Sequence, residues 1–189
     1  MSELVITGAD LLGQGRADIV ISDGVITSVG TGSGSAGARR IDADGLVALP
    51  GLVDVHTHLR EPGREDTETI DSGARAAAAG GYVALMAMAN TTPVTDTPGA
   101  AEWVYDRGAA TPYADVHPVG AVTKGLAGQE LAEIGLMARS RAKVRMFSDD
   151  GKCVHDPLVM RRALEYVTTF DGVIAQHAQD PRLAPHTSC

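Results

Sequence analysis

Aromatic residues are scarce: one Trp, two Phe and four Tyr make up 4% of the 189 residues, against a hydrophobic fraction of 44%. Ala, Val, Leu and Ile must therefore fill the interior, and there is ample material for a packed core. Cysteine is limited to Cys153 and Cys189, far apart in the chain. That excludes a disulfide framework and leaves reduced thiols in a cytoplasmic protein as the expectation. No apolar run reaches the roughly 18 residues of a membrane-spanning helix. The opening Met1-Ser2-Glu3-Leu4 also lacks the basic segment that starts a signal peptide, so no membrane partner is expected. Positive charge is in deficit, with 16 Lys and Arg against 24 Asp and Glu and a formal net charge of −8. Nucleic acid is thereby a poor partner, and an anionic substrate would have to be met by local positive groups.

The length suits one domain, or one and part of another. Residues 4–7, 17–22, 25–29 and 46–49 are rich in β-branched and apolar residues, with Asp23-Gly24 as a tight hairpin signal between the second and third. Residues 31–37 form a Gly/Ser loop. With no helical period here, residues 1–49 read as a small β-sandwich-like domain. From Pro50 the pattern becomes alternating strands and helices, the mark of a parallel α/β fold. Strands are expected at residues 52–58, 82–89, 115–121, 144–148 and 172–177. Helices are expected at 72–79, 98–107, 129–140 and 157–170. The strand interiors are rich in Val, Ile, Ala and Met, as strands covered on both faces should be.

Within the run from Gly51 to Gly63, His56 and His58 stand two residues apart at the end of the first of these strands. Side chains at i and i+2 share a strand face, so both imidazoles project together, with Asp54 on the same face. Two neutral imidazoles held this way make half of a divalent metal site, and the loop that follows, Arg60-Glu61-Pro62-Gly63, stands where barrel enzymes carry their functional loops. Asp149-Asp150-Gly151 follows the fourth strand, where a carboxylate suits either a metal ligand on the same rim or a simple turn before Gly151. His177 ends the fifth strand and reads either as a ligand or as a buried, satisfied histidine. Arg60 presents a planar two-pronged donor suited to a carboxylate, though an ordinary surface ion pair would also use it. Asn90, after the second strand, is a further donor on that rim or a turn cap. His117 lies in a strand and is expected to contribute to packing or to a loop, His155 lies in a loop, and His186 lies near the end of the chain with no assigned role. Cys153 has no base at a useful spacing and does not read as a nucleophile.

The text His56-Thr57-His58-Leu59-Arg60-Glu61-Pro62-Gly63 resembles the metal-binding signature of the amidohydrolase superfamily, and is similar to the class I type of bacterial dihydroorotase. The resemblance runs over about residues 4–183. It implies a metal-dependent hydrolase (β/α)8 TIM-type barrel, which needs eight strands and about 250 residues. Residues 50–189 supply about five strands, so the expectation is an incomplete barrel carrying the metal site. Phe147-Ser148-Asp149-Asp150-Gly151 looks like the family's fourth-strand motif, whose second Asp, here Asp150, bridges two zinc ions. Hydantoinase and allantoinase relatives place a carboxylated lysine there, and Lys152 matches no such position. The fifth-strand histidine, here His177, goes to the second metal. The usual Glu two residues later is Gln179 in this chain. The resemblance assigns the substrate carboxylate to Arg60 and Asn90, and Arg60 separates this type from allantoinase-like relatives, which carry Asn in its place.

The implied activity is the interconversion of dihydroorotate and N-carbamoyl-L-aspartate in de novo pyrimidine synthesis, with two zinc ions per complete site. The family's general acid/base belongs to a later strand, so no catalytic residue is expected within this chain, which reads as an inactive fragment. The alternatives are a hydantoinase- or allantoinase-like cyclic amidase, or a non-catalytic dihydroorotase-like partner of aspartate transcarbamoylase. Homo-oligomerisation is a further possible association.

Overall fold

Residues 2–32 and 34–183 are described by the computed structural model of the protein. Cys189 and His186 lie outside the described residues. The chain divides into two compact units, residues 1–50 and 51–189.

In the first unit, β-branched and apolar residues alternating with polar ones build β1 (Glu3–Leu11), β2 (Arg16–Ser22) and β3 (Val25–Gly30). They pair antiparallel in sequence. Asp23 and Gly24 both take positive φ, 49° and 81°, which is the two-residue turn whose twist matches a hairpin. Two further strands, β4 (Arg39–Asp42) and β5 (Val47–Ala48), lie parallel to β1 on its other side. Strand β4 has no counterpart among the expected elements. All four of its residues are exposed, so it carries no alternation to read, and its pairing with β1 is what makes it a strand. Val5, Ala9, Ile19, Val20 and Ala43 are the buried apolar residues of this unit.

The second unit alternates strands and helices: β6 (Leu52–Thr57), α1 (Ile70–Ala79), β7 (Tyr82–Ala87), α2 (Pro98–Ala109), β8 (Asp115–Pro118), α3 (Ile134–Arg139), β9 (Met146–Phe147), α4 (Pro157–Val167) and β10 (Val173–Ile174). Strands β6, β7 and β8 form a parallel sheet in that order, and β9 pairs parallel with β10. A parallel bridge between Gly120 and Phe147 joins the two rows, so five parallel strands follow one another in chain order. The helices start where their caps dictate. Thr69 closes a capping box with Ser72, and Thr97 and Asp156 each precede a proline at the first turn.

Two expectations are corrected. Residues 129–133 are not helical, and α3 begins only at Ile134. The preceding segment spends its backbone groups on a neighbour: Leu131 bridges Thr123, and Ala132 N–H donates to Val122 O at 2.9 Å. The strands are also not covered on both faces. Helices bury Leu85, Ala87 and Val116, while Leu52, Val53, Val55, Val83 and Val173 stay 48–58% exposed. His117, in β8, is exposed. The main core lies between the later helices and strands, centred on Phe147, Ile134, Met137, Val122 and Ala163, with Phe170 edge-on to Phe147 at 6.1 Å. No helix among the described residues is long and apolar enough to cross a membrane.

Candidate metal centre

Every strand of the second unit ends earlier than the apolar pattern suggests, and the chemistry begins where the ladders stop. His56 is the penultimate residue of β6 and His58 the first beyond it. Asn90 follows β7, Asp150 follows β9 and His177 follows β10. All of them therefore sit at the C-terminal ends of parallel strands, the end that carries sites in parallel α/β folds.

The Asp150 carboxylate is the convergence point. Its Oδ1 lies 3.3 Å from His56 Nε2 and 3.7 Å from His177 Nδ1, and its Oδ2 lies 3.3 Å from His58 Nε2. The His56 and His58 rings meet edge to face, with centroids 5.2 Å apart. One ligand atom from each of His56, His58 and Asp150 falls within a common 4.8 Å span. Two ligands about 2.1 Å from one tetrahedral cation stand about 3.4 Å apart. The 3.3 Å separations match that edge, and the donor set of imidazole nitrogens and one carboxylate suits a borderline divalent cation. Asp54, expected beside the histidines, is not in this cluster. The register slips between Asp54 and Thr57, and the Asp54 carboxylate instead accepts the His56 backbone N–H at 3.0 Å. Lys152 is exposed.

The surrounding polar groups orient these side chains. Asn90 spans two of them: Oδ1 faces His58 Nδ1 at 3.0 Å and Nδ2 donates to Asp150 Oδ2 at 3.2 Å. Because the Asn90 nitrogen points at a carboxylate, its oxygen is the acceptor toward His58. His58 then carries its proton on Nδ1 and turns the Nε2 lone pair inward. Gln179 Oε1 stands 2.9 Å from His177 Nε2; with that oxygen as the acceptor, the proton sits on Nε2 and Nδ1 faces Asp150. The residue that departs from the usual Glu thus still offers an oxygen to the histidine.

Asp149 does different work from its neighbour. It is 1% exposed, and its Oδ1 accepts the backbone N–H groups of Val122 at 2.7 Å and Thr123 at 3.0 Å, while Oδ2 accepts the Thr123 hydroxyl. Burial pushes the Asp149 carboxyl above its ordinary pKa, and these three donors pull it back. Its role is to tie the segment after β8 to the segment after β9, directly beside Asp150. Sequence reasoning treated the Asp-Asp pair as one motif and missed this division. Burial, which separates the two jobs, is not visible in the text Asp-Asp-Gly.

Arg60 is exposed and takes φ 60°, with the Glu61 N–H donating back to Leu59 O at 2.7 Å. The next residue, Glu61, is 5% exposed and was read from sequence only as part of the motif.

Comparison with known proteins places the chain in a family. Residues 45–188 match the family model described as dihydro-orotase-like. A dihydroorotase of Leifsonia xyli subsp. xyli is 63% identical over 179 residues, 95% of this chain and 41% of that protein. A dihydroorotase of Streptomyces coelicolor is 58% identical over 183 residues, 97% of this chain and 43% of that protein. The chain therefore spans about two fifths of the length of these relatives. The solved structure of an L-hydantoinase (dihydropyrimidinase) from Arthrobacter aurescens superposes with a TM-score of 0.77 over 95% of this chain and 41% of its own, at 22% identity, a likeness of fold alone. With three quarters of its residues under the family model, and relatives this similar across nearly its whole length, the chain belongs to the dihydro-orotase-like family.

Proposed function

We propose that this chain forms the metal- and substrate-holding part of a dihydroorotase, which adds water across a ring amide of dihydroorotate to give N-carbamoyl-L-aspartate, and reverses that step. The observation that carries the reading is the Asp150 carboxylate 3.3 Å from both His56 Nε2 and His58 Nε2, with His177 Nδ1 at 3.7 Å. These four side chains would hold zinc, Asp150 facing all three histidines as a bridging ligand would. Zinc, when bound, supplies Lewis acidity toward a carbonyl oxygen and toward water. The five parallel strands are read as the first five of a (β/α)8 barrel, a reading that the likeness to the hydantoinase fold supports.

The remaining roles belong to the chain's own side chains. The Arg60 guanidinium offers two parallel N–H groups to the ring carboxylate of dihydroorotate, which supplies the local positive charge that an acidic protein must place at an anionic ligand. Asn90 uses its oxygen and one N–H on His58 and Asp150, and its second N–H is the one offered to substrate. Proton transfer during ring opening is assigned to none of these side chains, whose proposed part is to hold the metal and the substrate.

Calorimetric titration of the zinc-loaded protein tests the reading. Dihydroorotate is expected to bind at least about tenfold more tightly than hydantoin, the margin of one charge-assisted pair, with Arg60→Gln removing the preference. Equal or tighter binding of hydantoin, or of allantoin, would refute it in favour of another cyclic amidase.

A further inference from the structure

The structure assigns Glu61 and Arg107 the role of positioning residues for Arg60: an ion pair between a buried carboxylate and a half-exposed guanidinium, reaching across 46 residues of sequence, that holds the carboxylate-recognition loop in its working shape. This rests on the reading of Arg60 given above.

The loop between His58 and α1 has no regular secondary structure of its own, so its conformation must be imposed from outside. Arg60 needs that imposition most. A non-glycine residue at φ 60° is held in a left-handed conformation that L-residues avoid, and such residues persist only where neighbours over-determine them. On its N-terminal side, Arg60 follows His58, whose ring is fixed by Asn90, and Leu59, which is buried against Gly73 of α1. On its C-terminal side it is followed at once by Glu61. A carboxylate buried without partners is strongly unfavourable, so Glu61 stays in place only where its oxygens are matched.

They are matched at two points. Glu61 Oε2 accepts the backbone N–H of Ile70 at 2.7 Å, the first residue of α1, where the helix dipole favours a negative charge. Glu61 Oε1 receives Arg107 Nε at 3.1 Å and Arg107 Nη2 at 3.0 Å. Arg107 lies in the last turn of α2, a favourable end for a cation, with its guanidinium 5.9 Å from the Trp103 ring centre. The far side of the loop is pinned as well. Pro62 O accepts the Thr92 N–H at 2.9 Å, and Gly63, at φ 107°, passes so close that a side-chain carbon there would stand 2.6 Å from Thr92 O. Arg60 is thus bracketed by His58 on one side and by the Glu61 anchor on the other, and two helices and the Asn90 segment set where its guanidinium starts.

The experiment uses the zinc-loaded chain and reads the ratio of its affinities for dihydroorotate and for dihydrouracil, the same ring without the carboxylate. It is run on wild type, Arg60→Gln, Glu61→Gln, Arg107→Met and Arg107→Lys, with zinc content and residue-level amide exchange measured on each. Glu61→Gln and Arg107→Met are expected to lower the carboxylate preference roughly tenfold, as for one charge-assisted hydrogen bond. Dihydrouracil affinity and zinc content should stay at wild-type levels, and the Ile70 amide should exchange faster. Arg107→Lys, which keeps the charge but not the fork, should recover part of the preference. If Arg60→Gln removes the preference while Glu61→Gln and Arg107→Met keep it, the positioning role is wrong and the Arg60 reading stands. If Arg60→Gln leaves the preference unchanged, the Arg60 reading fails and this inference fails with it. Equal losses for both ligands in Glu61→Gln would show a merely structural pair and overturn the proposal.

Discussion

Asp149→Ala and Asp150→Ala differ by one position and should differ in kind. Removing the Asp149 carboxylate strands two buried backbone donors, Val122 N–H and Thr123 N–H, which it accepts at 2.7 Å and 3.0 Å. Each unsatisfied buried amide costs about 1–3 kcal/mol. The Thr123 hydroxyl can rotate toward another acceptor, and relief of the carboxylate's own burial returns part of the loss. The expected destabilisation is therefore about 3 kcal/mol, a fall in urea midpoint of about 1.5 M for an m-value near 2 kcal/mol/M. Asp149→Asn, which keeps one oxygen for both amides, should lose about 1 kcal/mol. Asp150 has no such debt. Among the described residues its carboxylate accepts from the Asn90 side chain and faces three histidines. Metal-free Asp150→Ala should unfold within about 1 kcal/mol of wild type while its zinc binding collapses. Urea unfolding followed by circular dichroism, with zinc content measured in parallel, decides the matter. Were Asp150→Ala the more destabilised of the two in the absence of metal, the division of labour argued here would be wrong.

Asn90→Ala removes the groups that orient His58 and touch Asp150, and should weaken zinc about 10- to 100-fold in a competitive chelator titration. Gln179→Ala withdraws the oxygen 2.9 Å from His177 Nε2, and a loss of about tenfold is expected in the same assay. Gly120→Ala would put a methyl carbon 2.7 Å from Phe147 Cδ1 and 3.0 Å from Met137 Cε. It should cost about 1–3 kcal/mol by overpacking, read as a fall in melting temperature, and an unchanged melt would mean that the join between β8 and β9 is loose.

The sequence was most legible where a local rule applies. The Asp23-Gly24 hairpin follows from turn chemistry, and the starts of α2 and α4 follow from a capping residue and proline. The parallel strands show in their β-branched interiors, although their ends do not, because backbone pairing stops before the apolar residues do. His56, His58, Asp150 and His177 could be singled out from position and motif, and the structure brings their side chains together. What stayed hidden depends on partners far away in sequence. Strand β4 exists because β1 lies beside it. Residues 129–133 give up a helix to pair with 122 and 123. Asp149 differs from Asp150 only through burial, and Glu61 meets Arg107 through the packing of α2 against α1.

The central claim is that these strand ends form a metal site, and bound zinc in the purified 189-residue chain, by elemental analysis, tests it most directly. Near-stoichiometric zinc in wild type, lost in His56→Ala/His58→Ala with an unchanged cooperative melt, is the result the account predicts. A cooperatively folded wild-type chain that takes up no metal, or equal metal in wild type and the double variant, would contradict it.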